Sequence, residues 1–176
     1  RLLGAEVPCV AIRAGGSLIE ARTYRANIDV LWRSIDHANA IGASLMTGNL
    51  MADQRHYRLD GDPWGRPVAQ DASRDASIHL YERLARDLRP ICDKAAETGM
   101  IVSIELHQQS PMDTSWSALL LCELVDRPNF GINADLGNLV WNYDIPEETT
   151  EDAVRALASV SVYWHCKNLD VVAHPE

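Results

Sequence analysis

Apolar positions along the chain change their period several times, and each change marks an element. Val7 to Ile12 is a short, nearly continuous apolar run closed by Gly15 and Gly16, the pattern of a buried strand and its turn. From about Thr23, Ile28, Leu31, Trp32, Ile35 and Ala38 recur at spacings of three and four before Gly42, which predicts one amphipathic helix. Ala43 to Thr47 is a second, weaker strand. The helical period resumes near Ser73 and runs through Ile78, Tyr81, Leu84, Leu88, Ile91 and Ala95 to Gly99. Pro90 is expected to kink or divide this helix, because proline removes a helix hydrogen bond. Ile101 to His107 alternates as a strand, Thr114 to Val125 reads as a helix, and Phe130 to Asp135 reads as another strand. Pro146 and Glu147 open a helix through Val154, Leu157 and Val160, acidic at its start as the helix dipole favours. Val162 to Lys167 closes the series as a fifth strand.

Strands alternating with helices build parallel sheets covered by helices. Two α/β architectures remain, an open doubly wound sheet and a closed (β/α)8 TIM barrel. The open sheet would advertise a Gly-rich phosphate turn after a strand, and Gly15-Gly16 does not match GxGxxG. The barrel is therefore expected. Such barrels take roughly 250 residues, so a chain of 176 residues reads as a single partial barrel domain, residues 1–176, truncated at both ends. Residues 48–72, rich in Gly, Pro, Asp and Arg, show no periodicity and are longer than a plain connection, as lids and binding loops are, a disordered surface insertion being the alternative.

Composition narrows the partners. With 47% hydrophobic and 23% charged residues the chain is globular, and its charge of 16 − 25 = −9 lacks any Lys/Arg run. That argues against nucleic acid and anionic membrane surfaces. No stretch of about 18 apolar residues is present, nor a signal-peptide pattern, and a soluble, cytoplasmic protein is expected. Cys9, Cys92, Cys122 and Cys166 form no CxxC pair and lie among apolar residues, as core thiols of a reducing compartment do.

Alternation along a strand puts Val102, Ile104 and Leu106 on one face and Ser103, Glu105 and His107 on the other. With the apolar face against helices, Glu105 and His107 point into the barrel at the carboxyl end, where barrel enzymes keep their sites. Asn133 and Asp135 follow on the next strand, and Tyr163, His165 and Lys167 on the last. The intervals 135 − 105 = 30 and 165 − 135 = 30 match one βα unit, so equivalent positions carry Glu, Asp and His. Any one of them could pair with Lys167, Arg13 or backbone amides, or be a satisfied core histidine. Three in phase at strand ends point instead to one divalent cation, and a mixed O,O,N donor set suits Mn, Co, Mg or Zn. Asp113, Asp144 and Asp170 fall in loops and are expected to cap or be solvated. His37 and His79 read as surface or packing residues, and His56 lies in the long loop.

The runs Ser103-Ile104-Glu105-Leu106-His107, Asn133-Ala134-Asp135-Leu136-Gly137-Asn138-Leu139 and Trp164-His165-Cys166-Lys167-Asn168 resemble the sugar phosphate isomerase/epimerase branch of the xylose isomerase-like TIM-barrel superfamily. The resemblance implies that the five strands here are about the third to seventh of the barrel. It further implies that Glu105, Asp135 and His165 are three of four ligands of one divalent metal. The fourth would be a Glu ending the last strand, beyond this sequence, so the chain as given should lack half of its acid-base pair and be inactive alone. Many relatives have Asp where Asn168 stands, and some have His where Asn138 stands.

The implied chemistry is a metal-dependent isomerisation or epimerisation of a sugar or sugar phosphate, by proton transfer next to a carbonyl through a cis-enediolate. Glu105 would be the catalytic acid-base group on one face. Lys167 could hold a substrate oxygen or phosphate, or equally neutralise the acidic cluster. His107 and Asn138 are candidates to bind substrate hydroxyls or to orient the ligands; Trp64, Arg66 and His174 are candidates to close over the substrate. A dehydratase on the same scaffold begins with the same step. A phosphodiester hydrolase like the superfamily's abasic-site endonucleases would need a His-richer zinc cluster and a basic face, against Asn138 and a charge of −9. A non-catalytic sugar-binding barrel is the remaining alternative, and homo-oligomerisation is left open.

Overall fold

A computed structural model describes residues 11–13, 18, 23–50, 72–108, 110–140 and 147–167. In chain order the elements are β1 (Ala11–Arg13), α1 (Tyr24–Ala40), β2 (Leu45–Gly48), α2 (Ile78–Ala96), β3 (Ile101–Glu105), α3 (Ser115–Val125), β4 (Phe130–Asp135), α4 (Gly137–Val140), α5 (Thr150–Leu157) and β5 (Ser161–His165). The strands form one sheet in the order β1-β2-β3-β4-β5, and every neighbouring pair is parallel. A doubly wound sheet reverses its strand order at a switch point. Here each strand lies beside its sequence neighbours, as in the wall of a (β/α)8 barrel.

The core lies between the sheet and the helices. Val102, Ile104 and Leu106 from β3 and its end, with Ile132 and Ala134 from β4, meet Leu84, Leu88, Ile91 and Ala95 of α2 and Ala118, Leu121 and Val125 of α3 in one apolar cluster. Burying a Leu or Ile side chain is worth about 1.5–3 kcal/mol, so the inward stripe of α2 is its anchor. That stripe explains Pro90. The proline sits inside one uninterrupted helix and does not divide it; its ring is exposed, while Leu84, Leu88, Ile91 and Cys92 on both sides of it are buried. Gly99, with φ of +70°, turns the chain from α2 into β3 in the left-handed region that favours glycine.

Other elements differ in extent from the sequence pattern. Residues 72–77 form a turn before α2, because Ala72 and Ser73 are buried and Ser73 is bound to Asp113. The acidic helix begins at Thr150 and not at Pro146: the Thr149 hydroxyl caps it by accepting from the Asp152 amide at 3.1 Å, and Glu147 and Glu148 are engaged elsewhere. The short helix α4 has no apolar period that would announce it. Trp32 is not part of the buried face of α1, being 42% exposed, with the Lys94 ammonium 4.8 Å from its ring centre.

Of the cysteines, Cys92 is buried and Cys122 partly so, whereas Cys166 is exposed and is not a core residue; Cys9 lies outside the described residues. Burial pushes the thiols of Cys92 and Cys122 up, to about 12 and about 11. Among the described residues no helix is long and apolar enough to cross a membrane.

Candidate metal centre

The carboxyl ends of β3, β4 and β5 lie side by side, and their register decides which side chains meet. Glu105 pairs with Asn133, Asn133 with Tyr163, and Asp135 with His165. The offset from β3 to β4 is thus 133 − 105 = 28 and not 30: Asp135 lies two residues beyond the register partner of Glu105. The equal spacing of Glu, Asp and His along the sequence is therefore not strand register. Strand tilt in a barrel staggers neighbouring strands, and the stagger brings these side chains together.

Between β4 and β5 the register shifts at Ile132/Asn133. Ile132 pairs with Ser161 and Asn133 with Tyr163, so Val162 is an extra residue on β5. Were the register unshifted, Asp135 would stand beside Trp164, and His165 would fall out of phase. Gly131 lets β5 come close enough for this. A Cβ there would lie 2.5 Å from Val162 Cγ1 and 2.8 Å from the Val160 carbonyl oxygen.

Glu105, Asp135 and His165 each offer one ligand atom, and these atoms lie within 4.8 Å of one another. His165 Nδ1 is 3.1 Å from Asp135 Oδ2 and 3.3 Å from Glu105 Oε1. Both carboxylates are buried, Asp135 at 1% and Glu105 at 6% exposure. Two carboxylates and an imidazole packed this closely at low exposure call for positive charge. Lys167 supplies part of it, its ammonium 2.9 Å from Asp135 Oδ2. Asp135 Oδ1 is buried with no hydrogen-bond partner among the described residues. An unsatisfied carboxylate oxygen beside an O,O,N donor set fits a divalent cation.

Side chains around the three brace them. Asn138, on α4, donates from Nδ2 to the Leu106 carbonyl oxygen at 2.9 Å and accepts from Lys167 Nζ at 2.7 Å, so both ends of its amide are occupied. His107 lies just past the end of β3; its amide donates to the Met112 carbonyl oxygen at 3.0 Å, and its Nδ1 is 3.1 Å from the Gln108 carbonyl oxygen. Lys167 likewise lies past β5. Asn133 is the residue that the strand-end pattern left without a role. It is fully buried, with Nδ2 within 3.4 Å of both ring nitrogens of His165. Its sequence signal was its position two residues before Asp135, on the same face. Trp64, Arg66 and His174 lie outside the described residues, as do His56, Asp144 and Asp170.

The rim nearby is tied at the start of α3. Asp113 is not solvated there but fully buried, and its carboxylate accepts the Ser73 hydroxyl. Ser73 Oγ is also 3.3 Å from Thr114 Oγ1. Glu148 accepts the Ser115 amide at 2.7 Å and its hydroxyl, and Arg74 pairs with Glu147 at 2.9 Å. Segments following β2, β3 and β4 thus meet at one helix end.

The comparisons with known proteins agree with this architecture. No curated protein matches the chain in sequence. Among solved structures, a xylose isomerase-like TIM barrel protein from Mycobacterium smegmatis in complex with magnesium superposes with a TM-score of 0.73 at 22% identity, over 90% of this chain and 50% of that one. L-ribulose 3-epimerase gives 0.67 at 19% identity, over 89% and 50%. The probable 3-DHS dehydratase AsbF from Bacillus anthracis gives 0.65 at 21%, over 93% and 51%. The chain spans about half the length of these structures. The family model of the xylose isomerase-like TIM barrel matches residues 4–174, and the chain belongs to that family.

Proposed function

We propose that the protein is a divalent-metal-dependent isomerase or epimerase of a sugar or sugar phosphate. The observation that carries this reading is the convergence of Glu105, Asp135 and His165 within 4.8 Å at the carboxyl ends of three adjacent parallel strands. Glu105, Asp135 and His165 would hold one cation, Mn, Co, Mg or Zn. Bound there, the cation would act as a Lewis acid toward the carbonyl and hydroxyl oxygens of a substrate.

Glu105 takes a proton from the carbon beside the carbonyl on its own face and returns it there to the neighbouring carbon, whereas protonation of the opposite face falls to a second acid-base group; such a transfer is worth roughly 10² to 10⁴-fold in rate. Asp135 is fixed for its part by Lys167 and, through Lys167, by Asn138. In this arrangement Lys167 neutralises the acidic pair, and Asn138 orients the site rather than binding substrate. His107 would face the substrate from beyond β3, and Trp64, Arg66 and His174 are further candidates to contact it. The substrate is a small hydroxy-carbonyl compound; a charge of −9 disfavours a polyphosphate backbone. A dehydratase is the second reading, favoured by the likeness to the 3-DHS dehydratase, and it shares the initial proton abstraction.

The test is incorporation of solvent deuterium into a panel of ketoses, aldoses and hydroxy acids carrying a carbonyl, with the full-length protein and Mn²⁺ or Co²⁺, and again with EDTA. Metal-dependent exchange beside the carbonyl that is lost in Glu105→Gln supports the proposal. Exchange accompanied by loss of water from the product selects the dehydratase, and exchange that survives both EDTA and Glu105→Gln refutes the metal-centred site.

A further inference from the structure

We propose that Asn133 is the positioning residue for the His165 imidazole, holding the ring in the orientation that turns Nδ1 toward both carboxylates. The inference builds on the metal-centre reading above and assigns a task to a residue outside the ligand set. Asn133 sits on β4 between Glu105 of β3 and Tyr163 of β5 in register.

Its Nδ2 lies 3.4 Å from His165 Nδ1 and 3.3 Å from Nε2. A point in the ring plane equally far from both nitrogens at this range would collide with ring carbons. The amide therefore stands over the face of the imidazole, where an N–H meets the π cloud, and not on the axis of either nitrogen. Both in-plane nitrogens stay clear of it, and Nδ1 keeps its approach to Asp135 and Glu105. The same imidazole packs against Tyr163 in a T-shaped contact, the ring centres 5.4 Å apart at an interplanar angle of 75°.

The choice of asparagine is costly to the fold. Its Oδ1 is buried with no hydrogen-bond partner among the described residues, and the side chain is fully buried. Leaving such an acceptor unsatisfied destabilises the fold, whereas leucine, with the same branched skeleton, has no polar atom to leave unpaired. A residue that lowers stability at the foot of a ligand cluster is one retained for the site.

Two measurements on the full-length protein test this. In the first, Asn133→Leu is compared with wild type by Mn²⁺ calorimetry and by thermal melting without metal. The expected result is Mn²⁺ binding weakened 10- to 100-fold, as for other residues that orient a ligand, with a melting midpoint equal to or above wild type. A structural role alone would lower both. Ser103→Ala, a fully buried substitution on the inward face of β3, is the control. Equal Mn²⁺ affinity in Asn133→Leu, or an equal loss in Ser103→Ala, overturns the proposal. In the second, the ring ¹⁵N and ¹H resonances of His165 are recorded in the metal-free protein. Resonances that move to averaged positions in Asn133→Leu support the ring contact, and unchanged resonances overturn it. Wild-type protein that binds no Mn²⁺ would refute the metal centre, and the His165 resonances would then decide the role of Asn133 alone.

Discussion

Replacing Gly131 by alanine tests whether the approach of β5 to β4 builds the site. The new methyl carbon would stand 2.5 Å from Val162 Cγ1, 2.9 Å from Val162 Cγ2 and 2.8 Å from the Val160 carbonyl oxygen. Restoring ordinary contact at 3.4 Å requires a shift of 3.4 − 2.8 = 0.6 Å away from backbone and 3.4 − 2.5 = 0.9 Å away from a stiff, β-branched side chain. Overpacking of this kind costs about 1–3 kcal/mol, or about 2–12 °C in melting temperature for a chain of this size. Because the shift falls on the strand that carries His165, a movement of this size also separates Nδ1 from the carboxylates, now at 3.1 and 3.3 Å. Mn²⁺ affinity, read by calorimetry, should fall together with the midpoint read by differential scanning calorimetry. Val162→Ala in the same chain removes two of the three contacts and should recover part of both losses, leaving the contact with the Val160 carbonyl. A Gly131→Ala protein that melts with wild type and binds Mn²⁺ equally well would refute the argument from register.

Further expectations follow from other residues. Lys167→Met removes the ammonium that a cation must share Asp135 with, so Mn²⁺ binding should tighten by about tenfold; weaker binding in calorimetry would mean that Lys167 orients the carboxylate more than it competes for it. Asp113→Ala removes the carboxylate that accepts the Ser73 hydroxyl and should cost about 1–3 kcal/mol; hydrogen exchange should rise over residues 72–77 as well as 110–117, and a rise confined to 110–117 would show that the two segments are not tied. The thiols of Cys92 and Cys122 ionise near 9.0 in the unfolded chain but only near about 12 and about 11 in the folded one. The unfolded state therefore binds fewer protons above pH 9, and stability should fall as pH rises from there, by at most about 1.4 kcal/mol per pH unit for each thiol. Urea midpoints between pH 9 and 11 should decline less steeply for Cys92→Ala/Cys122→Ala than for wild type; equal slopes would refute the assignment.

The alternation of β3 and β4 was legible because a strand packed on helices must separate apolar from polar side chains along its length, and Val102, Ile104, Ser103 and Glu105 do so. Glu105, Asp135 and His165 were legible for the same reason, as inward residues at strand ends. Their relative heights were not. Register depends on where β5 carries its extra residue, and Val162 looks no different in sequence from any other strand valine; Gly131 on the neighbouring strand leaves it room. Pro90 misled for a related reason: local hydrogen bonding argues for a break, but the buried residues on either side of it hold both halves of α2 to the core. Asp113 read as a loop residue and Glu147 as the opening of a helix because their partners, Ser73 and Arg74, lie 40 and 73 positions away, beyond any local pattern.

Those same separations bear on the order in which the molecule assembles. Chain entropy makes contacts between distant residues the last to be gained. The ties that meet at the start of α3 bridge 33, 40 and 73 positions, while each strand pairs with its sequence neighbour. The sheet can grow one βα unit at a time, but the rim around the ligand cluster cannot tighten until the segment after β4 has arrived to place Glu147 and Glu148. A nascent chain that has emerged only through β3 would carry α2 with its apolar stripe and no finished mouth.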